Sequence, residues 1–196
     1  AAPPVSTGFV DVGRILTASD FGLPAGTIVG DPTGVVLGDG RIRLFVYVEG
    51  RGVWRALSTD PQGTSFRVEG PCTLVPDTAT NTMGTPWGEP RVTKIAGGLR
   101  MFYMQDRGIA SATSEDHITW RQEPGLRISA AQAGMRATTT GSLVDLGGGR
   151  HRLYFSELRD SPLDPATPLK SATSSDLLNW TMDPGVRIGP GAADLD

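Results

Sequence analysis

The chain has 196 residues, of which 38% are hydrophobic and 20% charged, and a formal net charge of -3. That length can bury a core as one domain or two small ones. The balanced charges indicate neither a nucleic-acid surface nor one for anionic membranes, and no apolar run approaches the roughly 20 residues of a membrane helix.

In chain order, Ala1-Ala2-Pro3-Pro4 fits a mature end left after signal-peptide cleavage, and nearly as well an arbitrary start. A secreted or periplasmic location is the expectation. Residues 8–17, with Phe9, Val10, Val12, Ile15 and Leu16, read as an outer strand with no inner strands ahead of it. The Gly- and Pro-bearing segment 20–30 then reads as a loop leading to the first of three similar units.

The units cover approximately 31–75, 89–129 and 141–188. Each opens on a strand, turns at a Gly-rich hairpin (Gly38-Asp39-Gly40, Gly97-Gly98, Gly147-Gly148-Gly149) and continues into an apolar strand. A strand of small residues follows, then a Ser-x-Asp turn at Ser58, Ser114 or Ser174 whose carboxylate is expected to cap main-chain N–H groups. Each unit ends on an aromatic residue and a closing strand, the clearest being 125–128 and 185–188. Phe66, Trp120 and Trp180 recur at spacings of 54 and 60 residues and are expected to pack between units as core. No stretch has sustained helical periodicity; at most a short turn is expected near 162–167. Four short strands per repeat predict an all-β fold, a β-propeller of four-stranded antiparallel blades.

Propellers usually have four to eight blades, and three plus an orphan outer strand are legible here. The tail from Gly189 to Asp196 reads as the approach to another inner strand. Two arrangements follow: part of a larger, five-bladed ring, or blades completed by another copy of the chain. Three blades alone would leave two raw edges.

Inner strands open near one mouth of a propeller's channel, so Asp31-Pro32, Glu89-Pro90 and Thr140-Gly141-Ser142 should converge there. At Gly30-Asp31-Pro32-Thr33, at Gly88-Glu89-Pro90-Arg91-Val92-Thr93-Lys94 and at the segment from Ser171 to Trp180, the chain resembles the five-bladed propeller glycosidases and phosphorylases of glycoside hydrolase families 43, 32 and 130. The resemblance covers nearly the whole chain as blade pattern, and its third piece is structural in those families. It implies an enzyme acting on a glycosidic bond, with no cofactor and with carbohydrate as the partner.

By that resemblance Asp31 stands as base or nucleophile. Glu89 replaces an Asp that stabilises the transition state or tunes a neighbour's pKa. Glycoside cleavage also needs an acid to protonate the leaving oxygen. The third opening has Thr140 where an acid is expected, which leaves Glu157 as the substitute, though Glu49 and Asp106 hold matching places in the other blades. Trp87 could stack on a sugar or pack. Arg91 could bind a hydroxyl or phosphate, or pair with Glu89, and Thr140 would line the same pocket. The plainer alternative for both acids is that they cap the strand entry or pair with arginines.

Other chemistry is poorly supported. His117 and His151 are isolated and read as exposed, and Cys72 is the only cysteine, so neither a disulfide nor a metal site is expected. A nucleophile elbow and a phosphate loop are missing. The runner-up function is a non-catalytic carbohydrate-binding or protein-interaction propeller that has lost its third acid.

Overall fold

The computed structural model describes residues 13–77, 88–158 and 167–189. Three sheets form, because alternating apolar stretches are broken by turn residues at short intervals. The first contains β1 (Val29–Val36), β2 (Ile42–Val48), β3 (Gly52–Ser58) and β4 (Phe66–Pro71), in that order. Next in the chain come β5 (Thr73–Val75), β6 (Gly88–Ile95), β7 (Gly98–Gln105), β8 (Gly108–Ser114) and β9 (Thr119–Gln122). They make the second sheet, ordered β5-β9-β8-β7-β6. After the short helix α1 (Ala130–Ala133), β10 (Leu143–Gly147), β11 (Arg150–Phe155), β12 (Lys170–Ser174) and β13 (Thr181–Met182) make the third sheet. All pairings are antiparallel except β5 with β9. Among the described residues no helix is long and apolar enough to cross a membrane.

The Ser-x-Asp turns act as expected. Asp116 accepts main-chain N–H bonds from Ile118 at 2.8 Å and Thr119 at 2.7 Å, and Asp176 does the same for Leu178 and Asn179. These donors favour the ionised carboxylate and hold both groups well below the usual carboxylate range.

Strand alternation gives each sheet two apolar faces, and the sheets stack through them. Leu99, Met101 and Tyr103 of β7 face the first blade, where they meet Val35, Phe45 and Val53. Phe102, on the opposite face of β7, meets Leu153 and Phe155 of the third blade. Trp120 meets Phe45 edge-on with centroids 5.4 Å apart, and Trp180 meets Phe102 in the same way at 5.5 Å. Each tryptophan thus packs on the second-strand aromatic of the preceding blade. Both are core, at 0% and 6% exposure.

An ion pair recurs that the sequence reading missed. Arg43 meets Glu69 at 3.0 Å, Arg100 meets Glu123 at 2.8 Å, and Arg152 meets Asp183 at 2.9 Å. Third-strand serines add hydrogen bonds, Ser111 to Glu123 and Ser171 to Asp183. The signal was present: an Arg stands near the start of each second strand, and an acid stands before each Pro-Gly or Gly-Pro.

Several expectations change. The fourth strands are Thr119–Gln122 and Thr181–Met182, while 125–128 and 185–188 contribute only single bridges at Ile128 and Ile188. Gly125 and Gly185, at φ 75° and 74°, turn the chain out of line there. The first blade was expected to end at 75, but Thr73–Val75 crosses over and extends the second sheet, hydrogen-bonding alongside β9. Of the expected outer strand 8–17, residues 8–12 lie outside the described residues, and 13–17 form no strand. The residues that follow cover the outward face of the first blade: Phe21 and Leu23 pack with Val46 and Val48, and Phe21 meets Trp54 edge-on at 5.9 Å. That face of the first blade is therefore covered by the chain itself. His117 is half-buried rather than exposed, its Nδ1 held 2.8 Å from an Arg43 nitrogen. The expected turn at 162–167 falls almost wholly outside the described residues.

Candidate functional site

The two acids stand at the same irregularity. Pairing of β1 with β2 slips between Gly30 and Thr33, and pairing of β6 with β7 slips between Gly88 and Arg91. A bulge of this kind re-aims a side chain out of the strand's alternation. Asp31 and Glu89 both have φ of 51°, in the left-handed region. Each precedes a proline, which would normally push it to extended backbone. Such a conformation costs of order 1–3 kcal/mol and persists only where the surroundings enforce it. Two blades repeat it at the acid.

The surroundings of Glu89 show what enforces it there. The main-chain N–H of Thr140 donates to Glu89 Oε2 at 2.8 Å, and the Thr140 hydroxyl donates to the Glu89 carbonyl oxygen. Arg91 donates from Nε to the Gly141 carbonyl and from Nη1 to the Pro90 carbonyl at 2.7 Å. Gly141 itself packs tightly on the second strand of its own blade, where a Cβ would lie 2.3 Å from the carbonyl oxygen of Tyr154. Arg91 forms no ion pair with Glu89 among the described residues, which leaves its charge for the adjoining cleft. That cleft measures about 470 Å³, and Pro32, Thr33, Arg91, Ser142 and Leu143 are among its walls. It runs along the inner strands of the three blades, past Pro32 and Arg91, one and two residues beyond the acids.

Burial pushes the Glu89 carboxyl above its ordinary value, and the nearby charge of Asp31 adds to the effect. The Thr140 N–H bond and Arg91 oppose it only in part. Glu89 thus keeps its proton further up the pH scale than an exposed glutamate. One carboxyl that protonates readily beside another is the raw material of acid–base work on a glycosidic bond.

Glu157 has a different setting. Its Oε1 accepts from the Arg136 main-chain N–H at 2.8 Å and from Arg136 Nε at 2.9 Å. These bonds hold its carboxyl below the ordinary range, so as placed it suits an ion pair better than proton donation. Trp87 lies outside the described residues. The structure therefore groups Glu89, Arg91 and Thr140 by direct bonds, sets Asp31 within electrostatic reach of Glu89, and ties Glu157 to Arg136. Among the described residues no group of three or more His, Cys, Asp or Glu could hold a metal ion.

The raised carboxyl of Glu89 has a consequence for stability. An acid whose folded pKa lies above its unfolded one favours folding most below the unfolded value, and that contribution is lost as pH rises through the folded pKa. At pH 7 the ionised group is therefore a burden on the fold. Glu89→Gln retains an acceptor for the Thr140 N–H and removes the charge. The variant should unfold at a higher temperature than the parent at pH 7, and the gap should close as the pH falls to about 4. Thermal unfolding followed by circular dichroism checks this, and a gap independent of pH would contradict it.

No family model and no curated protein matches the chain. Solved structures do. A thermostable family-43 glycoside hydrolase superposes with a TM-score of 0.60 at 18% identity, over 86% of this chain and 55% of that one. An endo-1,4-beta-xylanase from Bacteroides thetaiotaomicron gives 0.58 at 19% identity, over 78% of this chain and 50% of that one. A family-32 beta-fructofuranosidase from Bombyx mori gives 0.56 at 15% identity, over 85% and 39%. The chain spans about half the length of the first two. Its fold is thus that of part of a β-propeller of the kind found in glycoside hydrolases of families 43 and 32.

Proposed function

We propose that this chain supplies blades of a secreted or periplasmic carbohydrate-active propeller that acts on a glycosidic bond of an oligo- or polysaccharide. The observation that supports the reading is the repeated bulge, which holds Asp31 and Glu89 in the same left-handed conformation, each within two residues of a wall of one cleft. In this reading Asp31, the less encumbered acid, serves as base or nucleophile. Glu89 supports it as proton donor or as the group that tunes Asp31, and Arg91 contacts substrate hydroxyls. The ring is completed by further blades, from the rest of a longer polypeptide or from a second copy.

A second reading is a carbohydrate-binding propeller without catalysis. It is favoured by Thr140 in the third acid's place and by the engagement of Glu157 with Arg136. Glu157 would then act on substrate only if Arg136 released it.

The two readings separate in one experiment. The protein is offered xylo- and fructo-oligosaccharides, chosen because the similar structures include a xylanase and a fructofuranosidase. Binding is followed by calorimetry and cleavage by reducing-sugar release. Asp31→Asn should lower cleavage by about 10²–10⁴-fold, the range for a lost acid–base group, while binding changes little. Unaltered cleavage in that variant removes Asp31 from the mechanism. Binding without cleavage in the parent protein selects the second reading, and absence of both rejects each of them for these sugars.

A further inference from the structure

We propose that Thr140 is a positioning residue for Glu89: the third blade, in place of contributing an acid, contributes a clamp on the acid of the second. This deepens the carbohydrate reading above and rests on it for its functional meaning.

The equivalence of the three positions follows from strand register. Thr33 lies opposite Phe45 and Arg91 opposite Phe102. In the third blade Tyr154 donates its N–H to the Ser142 carbonyl at 2.9 Å and accepts from the Gly141 N–H at 2.9 Å, so Ser142 takes the corresponding place. Counting back two residues from Thr33, Arg91 and Ser142 gives Asp31, Glu89 and Thr140. Thr140 therefore occupies the third acid position by strand register, as well as in the sequence pattern, without the left-handed φ of the two acids.

Its contacts differ from those of an acid. Thr140 is 4% exposed, so its polar groups have little access to water. Both of its donors are spent on Glu89: the N–H on the carboxylate at 2.8 Å and the hydroxyl on the carbonyl. The hydroxyl also sits 3.5 Å from Glu89 Oε2. One bond orients the carboxylate and the other holds the main chain of a residue at φ 51°. A carboxylate in place of this hydroxyl would meet the Glu89 carboxylate at close range, and like charges there would force one of the pair to protonate. A β-branched neutral donor avoids that and restricts the side chain to few rotamers. The Arg91 bond to the Gly141 carbonyl closes the clamp from the other side.

The clamp predicts a property of Glu89 that packing alone would not change. Thr140→Val preserves shape and removes the hydroxyl, whereas Thr140→Ser preserves the hydroxyl. The Glu89 carboxyl is titrated by carbon-13 NMR in the parent and in both variants, and binding of xylo- and fructo-oligosaccharides is measured on the same samples. Losing the hydroxyl removes its 3.5 Å approach to Glu89 Oε2 and the bond that fixes the Glu89 main chain, so the expected result is an upward shift of the Glu89 midpoint in Thr140→Val and a parent-like midpoint in Thr140→Ser. Where a sugar is cleaved, the acidic limb of its pH profile should move with the midpoint. An unmoved midpoint in Thr140→Val, or a serine variant that behaves like the valine one, overturns the clamp. If the valine variant does not fold, Thr140→Ala carries the same comparison. A shifted midpoint in a protein that binds none of the sugars supports the clamp and counts against the carbohydrate reading, so the two failures are distinguishable.

Discussion

Trp120→Ala is expected to lower the unfolding free energy by about 3–5 kcal/mol, the range for removing a fully buried aromatic that leaves a cavity. Trp120 is 0% exposed and belongs to a cluster with Phe45 and Val53 of the first blade and Met101, Tyr103 and Ala110 of the second. Its ring lies edge-on to Phe45 at an interplanar angle of 88°, a favoured aromatic geometry that adds to the burial. The vacated space borders two sheets, each held by its own ladder, so it cannot collapse without shifting one blade against another. The damage should therefore appear as lost cooperativity between blades as well as lost stability. Chemical denaturation followed by fluorescence and circular dichroism measures both. A loss below about 1 kcal/mol would show that the blades do not depend on this contact. Trp180→Ala tests the same device one blade on, at the Phe102 contact.

This 20.7 kDa chain by itself is expected to associate in solution. The first blade's outward face is covered by Phe21 and Leu23, so the driving surface is the third blade. There Tyr154 holds the place that Phe45 and Phe102 hold in the other blades, and it remains half-buried with no tryptophan stacked on it among the described residues. On the same blade's inner strand Val144 is 39% exposed and Leu146 40% exposed. Open sheet faces and edges of this kind recruit further strands. Light scattering should report a mass well above that of one chain, or an association that strengthens with concentration. Adding charge through Val144→Lys and Tyr154→Lys should lower that mass. A cooperatively folded monomer at all concentrations would mean that three blades suffice.

The fold class was legible because the repeat is written in residue types that physics constrains tightly. Gly97 turns a hairpin at φ 81°, Asp116 and Asp176 cap their turns through short side chains, and Trp120 and Trp180 recur where two sheets need a large apolar filler. Those are local or nearly local demands, and they survive without knowledge of the rest of the chain. The equivalence of Asp31, Glu89 and Thr140 was legible for the same reason, since a blade pattern places its inner-strand openings in common.

What the sequence could not determine was set by contacts between segments distant in the chain. Nothing in Thr73-Leu74-Val75 marks it as a strand of the second sheet rather than the first; its partner Thr119-Trp120-Arg121 decides that. The segment around Phe21 read as a loop, and only the apolar face offered by Val46, Val48 and Trp54 turns it into a cover. Glu157 and Glu89 are the same residue type, yet one meets Arg136 and falls in pKa while the other is half-buried within reach of the Asp31 charge and rises. Charge state depends on what surrounds a carboxyl in space, and those neighbours lie 21 residues away for Glu157 and 51 for the Glu89–Thr140 bond. By itself the sequence determined the repeat, the strands and the candidate acids. Only the tertiary structure decided which acid is poised to hold a proton, because burial and hydrogen bonding are properties of the packed chain.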